Sequence, residues 1–308
     1  MRRVWHLPVT MHPDEIPTSV ALVRRLVSEQ FPELSKLPVE PVASFGTDHT
    51  LYRLGSELVA RMPRREVNEG SLKNERRWLP RLAPHLPLAV PTPVADGRPG
   101  FGYPFGWAVY RWLDGEAAER EPIADPAQAA GDLAEFVSAL QHIDPSGGPG
   151  PGPHNASRGV RLERRDNSSR ASIAALRNEI DTEAVTALWE EALAAPEWHR
   201  PPVWHHGDLD VRNLLVTEGR LSGVIDFGCL GVGDPACDVA VAWKVLPAEE
   251  RRRFREALSV DDATWTRARG WVVSQAVNAL SYYTLETNRV LVLEARRWLG
   301  EVLTTARR

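Results

Sequence analysis

The sequence has very few cysteines and no long apolar run, and each shortage excludes a class of protein. Its 308 residues include only two cysteines, Cys229 and Cys237, so a disulfide framework cannot form, and neither thiol has the sequence neighbours of a zinc site. We expect both to be reduced. No apolar segment approaches the ~18 residues of a membrane-spanning helix, and the N-terminal residues lack the uninterrupted apolar stretch of a signal peptide. We therefore expect a cytoplasmic protein that does not bind a membrane.

Lysine is scarce and the net charge is small. The formal net charge is -4, with 37 Lys and Arg against 41 Asp and Glu, so the chain lacks the basic excess that nucleic-acid binding requires. Only Lys36, Lys73 and Lys244 are lysines, which leaves few candidates for chemistry that uses an ammonium group. The content of 43% hydrophobic and 25% charged residues is typical of a globular protein. We expect a small-molecule partner and no nucleic acid, and the sequence indicates no oligomeric state.

The first part of the chain reads as a small sheet with two helices. Residues 14–30 place apolar side chains at helical spacing and predict an amphipathic helix. Runs rich in β-branched and aromatic residues, separated by glycine turns, predict three consecutive antiparallel strands within residues 39–63. A helix at 66–79 should end or bend near Pro80. A further aromatic strand then completes a first lobe, residues 1–113.

The second lobe, residues 114–308, is predicted to be mainly helical. One compact β segment interrupts it, where Glu218-Gly219 turns the strand N-L-L-V back onto L-S-G-V-I-D-F as a hairpin. Asp234 is a candidate helix N-cap with Pro235 behind it. The fold class is therefore α+β, with a small antiparallel sheet lobe and a larger helical lobe. Helices are expected at 126–143, within 160–195, and at 248–258, 262–285 and 288–305.

The strongest chemical signal is a set of polar residues around the predicted hairpin. Asp208, within His206-Gly207-Asp208, and Asn213 lie on the loop that enters it, and Asp226 lies where its second strand ends. Two carboxylates and a carboxamide are hard oxygen ligands of the kind that Mg²⁺ takes. Each residue alone is also explained as a satisfied buried polar group or a turn. A zinc or iron hydrolase site built on His205 is disfavoured, because no further His or Cys is near in sequence.

These residues, in this order, resemble the aminoglycoside phosphotransferase family. H-G-D-x-x-x-x-N is followed by I-D-F-G and then G-D-P-x-x-D, and the family's small-molecule kinases share the protein-kinase-like fold. The resemblance implies a two-lobed kinase-like structure and transfer of the γ-phosphate of ATP or GTP to a hydroxyl of a small molecule. It implies that Asp208 accepts the hydroxyl proton and that Asn213 and Asp226 hold Mg²⁺. His206 and Asp238 are expected to hold the loop in shape.

The resemblance also assigns the nucleotide-binding residues of the first lobe. The segment from Ser44 through Thr47 to Thr50 would fold over the phosphates, although a plain hairpin turn explains it as well. The family's third strand carries a lysine, but this chain has Arg61 there. We expect Arg61 to bind phosphate and to pair with a buried Glu75. The alternative is that the Glu75 carboxylate is solvated on the surface of its helix.

The adenine or guanine base is expected beside the aromatic strand. Its backbone would contact the purine edge while Tyr110 or Trp112 packs nearby.

The acceptor stays open at this point, and an antibiotic of the aminoglycoside, macrolide or nucleoside type is the expectation. A polycationic acceptor would need carboxylates, and a less charged one would suit aromatic residues. Two other functions remain: a catalytically silent nucleotide-binding protein of kinase fold, favoured by the missing lysine, and a protein kinase, disfavoured because the G-x-G-x-x-G, H-R-D and A-P-E elements are absent. The candidate carboxylates are Asp210, Glu286 and Glu301, and the candidate aromatic residues are Trp265, Trp271, Tyr282 and Tyr283.

Overall fold

A five-stranded antiparallel sheet forms the smaller part of the protein. The computed structural model describes residues 11–43 and 46–306. The strand order is β1-β2-β3-β5-β4, so the three predicted consecutive strands are confirmed. The strands are β1 (Val39–Pro41), β2 (His49–Leu54), β3 (Leu58–Pro63), β4 (Pro93–Gly97) and β5 (Trp107–Arg111).

The central strand β3 is buried along its whole length, because β2 and β5 flank it and helices cover the sheet. Helix α1 (Val20–Gln30) buries Val23, Leu26 and Val27 against one face. It begins later than predicted, since the Ser19 hydroxyl accepts the N–H of Leu22 and caps the helix there.

Helix α2 (Val67–Leu82) follows β3 and leads into the cleft. It ends at Leu82, slightly later than the predicted residue 79, so the end expected near Pro80 is confirmed. Pro80 lies in the last turn, where one missing N–H removes a single intrahelical bond. Trp78, Leu79 and Leu82 are buried on either side of it, and this packing keeps the end of the helix in place.

The remaining part is mainly helical, as predicted, with short strands that carry the polar motif. Strands β8 and β9 form the predicted hairpin, and Glu218 and Gly219 both have positive φ at its turn. Among the described residues, no helix is both long and apolar enough to cross a membrane. The helices are α3 (Pro126–His142), α4 (Asp166–Ala175), α5 (Thr182–Ala194), α6 (Ala236–Val239), α7 (Val241–Lys244), α8 (Ala248–Ala257), α9 (Asp262–Tyr282) and α10 (Arg289–Ala306), and the strands are β6 (Glu116–Ala117), β7 (Val203–His205), β8 (Leu214–Thr217), β9 (Arg220–Val224) and β10 (Gly231–Gly233).

One apolar core joins the two parts. Val59 of β3 and Tyr110 of β5 belong to the same buried cluster as Phe227 after β9 and Trp243 of α7. The sheet and the helical part therefore meet across packed side chains, and the polar motif lies at the edge of this contact. That placement fixes the cleft in which the candidate site is found.

Candidate active site

The H-G-D loop is held in shape by side chains that bond to its backbone. Asp238 accepts hydrogen bonds from the N–H groups of His206 and Gly207, at 2.7 and 2.6 Å. His206 accepts the N–H of Asp208 at Nδ1 (3.2 Å), so its Nε2 donates to the carbonyl of Ile225 (3.1 Å). Gly207 has a φ of 85°, which side chains rarely adopt. The predicted structural roles of His206 and Asp238 are confirmed.

Three cations surround the carboxylate of Asp208. Arg158 Nη2 lies 3.5 Å from Oδ1, Lys244 Nζ lies 3.8 Å from Oδ1, and Arg212 Nη2 lies 3.8 Å from Oδ2. Desolvation in the cleft acts to raise the pKa of Asp208, but Lys244, Arg158 and Arg212 outweigh it and hold that pKa well below its ordinary value. Asp208 is therefore ionised at neutral pH. The three cations, together with the loop, fix the orientation of its carboxylate.

The sequence predicted none of these three cations. Lys244 is fully buried on α7; its Nζ donates to the carbonyl of Leu209 (3.3 Å) and lies 4.7 Å from the centre of the Trp298 ring. A lysine inside the apolar run A-V-A-W-K-V-L was a usable signal, because buried ammonium groups need a charged partner. The partner, Asp208, is distant along the chain and only the fold brings the two together.

Asn213 and Asp226 lie on either side of the hairpin, as predicted. Asn213 Nδ2 donates to the carbonyl of Asp208 (2.8 Å), and its own carbonyl accepts the N–H of Ile225 (2.9 Å). Asp226 has a left-handed backbone, with φ 62° and ψ 68°. This conformation is costly for a residue other than glycine, and such strain is concentrated at functional sites. It turns the carboxylate toward the cleft, where its side chain is 33% exposed.

A cluster of carboxylates gives this site the chemistry of a cation-binding centre. Desolvation and the charge of Asp226 raise the pKa of the neighbouring Asp48 to about 6, and Asp208 acts in the same direction. Asp226 Oδ2 has no hydrogen-bond partner among the described residues. This oxygen of Asp226 is available as a metal ligand, and it and the side-chain oxygen of Asn213 are of the type that a divalent cation takes.

Arg61 lies on β3, where the resemblance implies a lysine. Its Nη1 donates to both oxygens of Glu75 (2.9 and 2.6 Å), and its Nη2 donates to Asp226 Oδ1 (3.0 Å). Tyr110 donates its hydroxyl to Glu75 (3.1 Å). Glu75 is fully buried, so the alternative that its carboxylate is solvated is wrong. Lys73 lies exposed on α2.

Charge balance holds this network together. Burial acts to lower the pKa of Arg61, but Glu75 and Asp226 outweigh it and raise that pKa above its ordinary value. Burial also raises the pKa of Glu75, and Arg61 opposes that rise. The guanidinium therefore joins the helix glutamate to the candidate metal ligand, a contact that was not predicted.

The predicted phosphate loop is only partly described. Ser44 lies outside the described residues. Thr47 lines the cleft, and its hydroxyl donates to Asp48 (3.1 Å). Thr50 lines neither of the two cavities described below, because alternation along β2 places His49 and not Thr50 on the cleft face. Thr50 is therefore not placed to contact phosphate, contrary to the prediction.

The two aromatic residues predicted beside the base have different surroundings. Trp112 lines the cleft, and the guanidinium of Arg53 stacks on its ring at 3.7 Å. Tyr110 also lines the cleft, but its hydroxyl is committed to Glu75. Trp112 therefore keeps its place as a candidate base contact, while Tyr110 serves the ion-pair network.

Two cavities meet at the polar motif. The first, of about 620 Å³, lies between the sheet and the hairpin and is lined by Arg61, Trp112 and Asn213 among others. The second, of about 460 Å³, lies on the helical side toward α9 and α10. Their shared wall is made of Thr47, Asp208, Arg212 and Asp226. Two ligands bound in these cavities would therefore face each other across Asp208 and Asp226.

The three carboxylates predicted for a polycationic acceptor are not at this site. Asp210 is fully buried and accepts a hydrogen bond from Arg212 Nε (3.0 Å). Glu301 is bound by Arg251, and Glu286 is exposed at the surface. None of the three lines either cavity. Sequence position could not show this, because Asp210 is turned inward by its neighbouring arginine.

The four aromatic residues near the C-terminus divide into two pairs. Trp271 is fully buried, and Trp265 packs on the ring of Trp243 at 4.4 Å, so these two belong to the core. Tyr282 and Tyr283 line the second cavity, with ring centres 4.7 Å apart.

Known proteins of similar sequence are aminoglycoside phosphotransferases. An aminoglycoside 3'-phosphotransferase of Escherichia coli is 30% identical over 111 residues, which are 34% of this chain and 41% of that protein. A relative of the same name from Salmonella typhimurium gives the same figures. The chain thus matches less than half the length of these curated relatives.

Solved structures give the fold. A GDP complex of aminoglycoside 2'-phosphotransferase-IIIa matches with a TM-score of 0.72 and 20% identity, over 94% of this chain and all of that one (100%). A macrolide 2'-phosphotransferase from Brachybacterium faecium matches with a TM-score of 0.60 and 20% identity, over 90% of this chain and 98% of that one. The predicted α+β, two-lobed kinase-like fold is confirmed.

The family is settled by a match that spans most of the chain. Residues 39–271 match the family described as "Phosphotransferase enzyme family", and this range holds the whole polar motif and both strands that carry the Arg61 network. The resemblance to the aminoglycoside phosphotransferases is confirmed, and the chain belongs to the phosphotransferase enzyme family.

Proposed function

We propose that the protein transfers the γ-phosphate of ATP or GTP to a hydroxyl of a small molecule of an antibiotic type, in a reaction that depends on Mg²⁺. One observation carries the proposal: two cavities of ligand size share a wall that contains Asp208 and Asp226. A donor on one side and an acceptor on the other would be in line across these residues.

The donor side is supported by the Arg61 network. The nucleotide would lie in the cavity of about 620 Å³, with its base near Trp112 and its phosphates toward Thr47 and Arg61. Asn213 and Asp226 would hold Mg²⁺, which neutralises phosphate charge. Glu75 fixes the guanidinium in place, and a phosphate oxygen would share Nη2 with His49 and Asp226, to which that group is now bonded.

The acceptor side is supported by the ionised state of Asp208. Its lowered pKa makes it a weak base, but phosphoryl transfer through a loose transition state needs little activation of the nucleophile. Asp208 would orient the acceptor hydroxyl and receive its proton as the oxygen–phosphorus bond forms. Arg158 and Lys244 keep the carboxylate charged and fixed.

Relatives support the donor and the acceptor class. Their solved structures include complexes with GDP, ADP and ATP, and with kanamycin and gentamicin. Under this proposal residues 1–113 form the nucleotide-binding lobe and residues 114–308 the catalytic and acceptor-binding lobe, and the enzyme acts in the cytoplasm, where its donor nucleotide is made.

A silent nucleotide-binding protein is the second candidate, and one contact favours it. Arg61 forms an ion pair with one carboxylate oxygen of Asp226. A metal ion that cannot displace Arg61 from this oxygen would be bound weakly. The test is consumption of ATP and GTP by purified protein with aminoglycosides, macrolides and nucleosides, with and without Mg²⁺. The proposal expects acceptor-dependent and Mg²⁺-dependent consumption that Asp208→Asn abolishes. Nucleotide binding without turnover for any acceptor would favour the silent protein.

A further inference from the structure

The wall of the second cavity is cationic beyond the reaction centre. Its acidic lining residues are Asp208 and Asp226, which belong to the shared wall, and Asp48, which follows Thr47 of that wall in the sequence. Apart from these three aspartates, no described lining residue carries a carboxylate, and the polar groups on the side of α9 and α10 are amides, hydroxyls and guanidinium groups. A polycation would meet the positive charges of Arg158 and Arg165 there, and like charges in an interface oppose binding.

Arg165 differs from the other arginines of this cavity in its partners. Arg158 faces Asp208, and Arg212 is bound to Asp210. Arg165 Nε donates to the hydroxyl of Ser274 (2.8 Å), and Nη1 donates to the carbonyl of Ala156 (3.2 Å), both of which are neutral. No carboxylate among the described residues forms an ion pair with it.

The electrostatics of Arg165 show the same imbalance. Burial lowers its pKa to about 9, and the neighbouring charge of Arg158 acts in the same direction. The guanidinium is still mainly charged at neutral pH. Its ring contact with Trp271, at 5.0 Å, offers modest compensation. A partly desolvated cation without a counter-ion is costly, and an anionic ligand group in the cavity would remove that cost.

Gln275 supplies a second, independent indication of a ligand. It lines the cavity, its residue is only 7% exposed, and its Oε1 has no hydrogen-bond partner in the described structure. Its Nε2 is turned to the carbonyl of Gly207 (3.4 Å), which requires a donor, so the orientation of the amide is fixed. A buried acceptor without a protein partner needs a donor, and a hydroxyl or an N–H of a ligand in the cavity would supply one.

We propose that the acceptor is a hydroxyl compound with an anionic group, a carboxylate or a phosphate, and that Arg165 binds this group while Gln275 accepts a hydrogen bond from a neighbouring hydroxyl or N–H. This inference rests on the proposed function. The acceptor oxygen forms a bond to the γ-phosphorus as the bond from that phosphorus to the β,γ-bridging oxygen breaks. The hydroxyl proton passes to Asp208, and the nucleoside diphosphate leaves.

Matched pairs of probes test the charge preference directly. Glucuronate is compared with glucuronamide, and glucose 6-phosphate with glucose, with kanamycin as the polycation; calorimetry measures binding to the full chain in the presence of Mg²⁺ and ADP. We expect at least one anionic member to bind about tenfold or more tightly than its neutral partner, as one charged hydrogen bond allows. The two pairs distinguish a carboxylate from a phosphate.

Variants assign the preference to Arg165. Arg165→Met should abolish it, and Arg165→Lys should retain part of it. Arg161→Met is the matched control, because Arg161 is exposed, pairs with Glu197 and lines neither cavity. Circular dichroism checks that each variant is folded. The inference is overturned if no anionic probe binds better than its neutral partner, if the preference survives Arg165→Met, or if kanamycin binds most tightly.

The same probes separate this inference from the proposed function. Arg165-dependent binding of an anionic probe without phosphate transfer to any acceptor would keep the anion site at Arg165 but contradict the proposed function, because the bound compound would then be a ligand and not an acceptor. Transfer to kanamycin or to a neutral compound, with no effect of Arg165→Met, would keep the proposed function and contradict the inference.

Discussion

Replacing Arg61 perturbs stability and catalysis at once, because its guanidinium joins Glu75 to Asp226. Arg61→Ala removes hydrogen bonds of 2.9 and 2.6 Å to Glu75 and one of 3.0 Å to Asp226. Glu75 is then a fully buried carboxylate without a cation. Breaking a buried ion pair in this way costs about 3–5 kcal/mol, so we expect a loss of that size in the free energy of unfolding, measured by urea denaturation.

The pH dependence of that loss has a definite sign. Burial raises the pKa of Glu75 above its ordinary value, and Arg61 opposes this rise; in Arg61→Ala the pKa rises further. A carboxyl group with a folded-state pKa above its unfolded value destabilises the fold when ionised, and this penalty disappears as the pH falls through the folded pKa. The stability difference from the wild type should therefore shrink as the pH is lowered toward that pKa.

Catalysis distinguishes the two partners of the pair. Arg61→Ala also removes the donor that we assign to phosphate, and loss of such a donor costs about 10²–10³-fold in kcat. Glu75→Ala should lower kcat/KM less, because Arg61 keeps its bond to Asp226 and can still contact phosphate. The two effects should be strongly non-additive, since both residues belong to one network. Full activity of Arg61→Ala, with unchanged stability, would refute this reasoning.

Three further predictions concern the reaction centre. Asp208→Asn should lower kcat by about 10²–10⁴-fold while calorimetry finds nearly unchanged nucleotide binding; normal turnover would remove the proton acceptor from the proposal. Asp226→Ala should weaken nucleotide binding in Mg²⁺ more than in its absence, and an unchanged dependence on Mg²⁺ would contradict its role as a ligand. Lys244→Met should raise the pKa of Asp208 toward its ordinary value, because the cation that contributes most to lowering it is lost. The acidic limb of the kcat profile should therefore move to higher pH, and an unmoved limb would show that Lys244 does not act on Asp208.

Local spacing in the sequence predicted the parts of the site that lie close together along the chain. Asp208, Asn213 and Asp226 surround one hairpin, and the turn at Glu218-Gly219 fixes that hairpin by itself. The pairing of Arg61 with Glu75 could also be predicted from the sequence, because their positions on a strand and on the next helix limit which cation a buried glutamate can reach.

Contacts between distant segments could not be predicted from spacing. The bond from Arg61 to Asp226 and the position of Lys244 beside Asp208 depend on how the sheet packs on the helical part. Thr50 was assigned to the wrong face, because the alternation of a strand fixes which residues share a face but not which face meets the ligand.

The direct test of the proposed reaction follows the γ-phosphate itself. Purified protein is incubated with Mg²⁺, with ATP or GTP carrying an isotope label in the γ-phosphoryl group, and with the acceptor panel, and mass spectrometry locates the label. The account predicts label on a hydroxyl of a small molecule with the wild type and none with Asp208→Asn. Label found only in free phosphate, on protein or still in the nucleotide would contradict it.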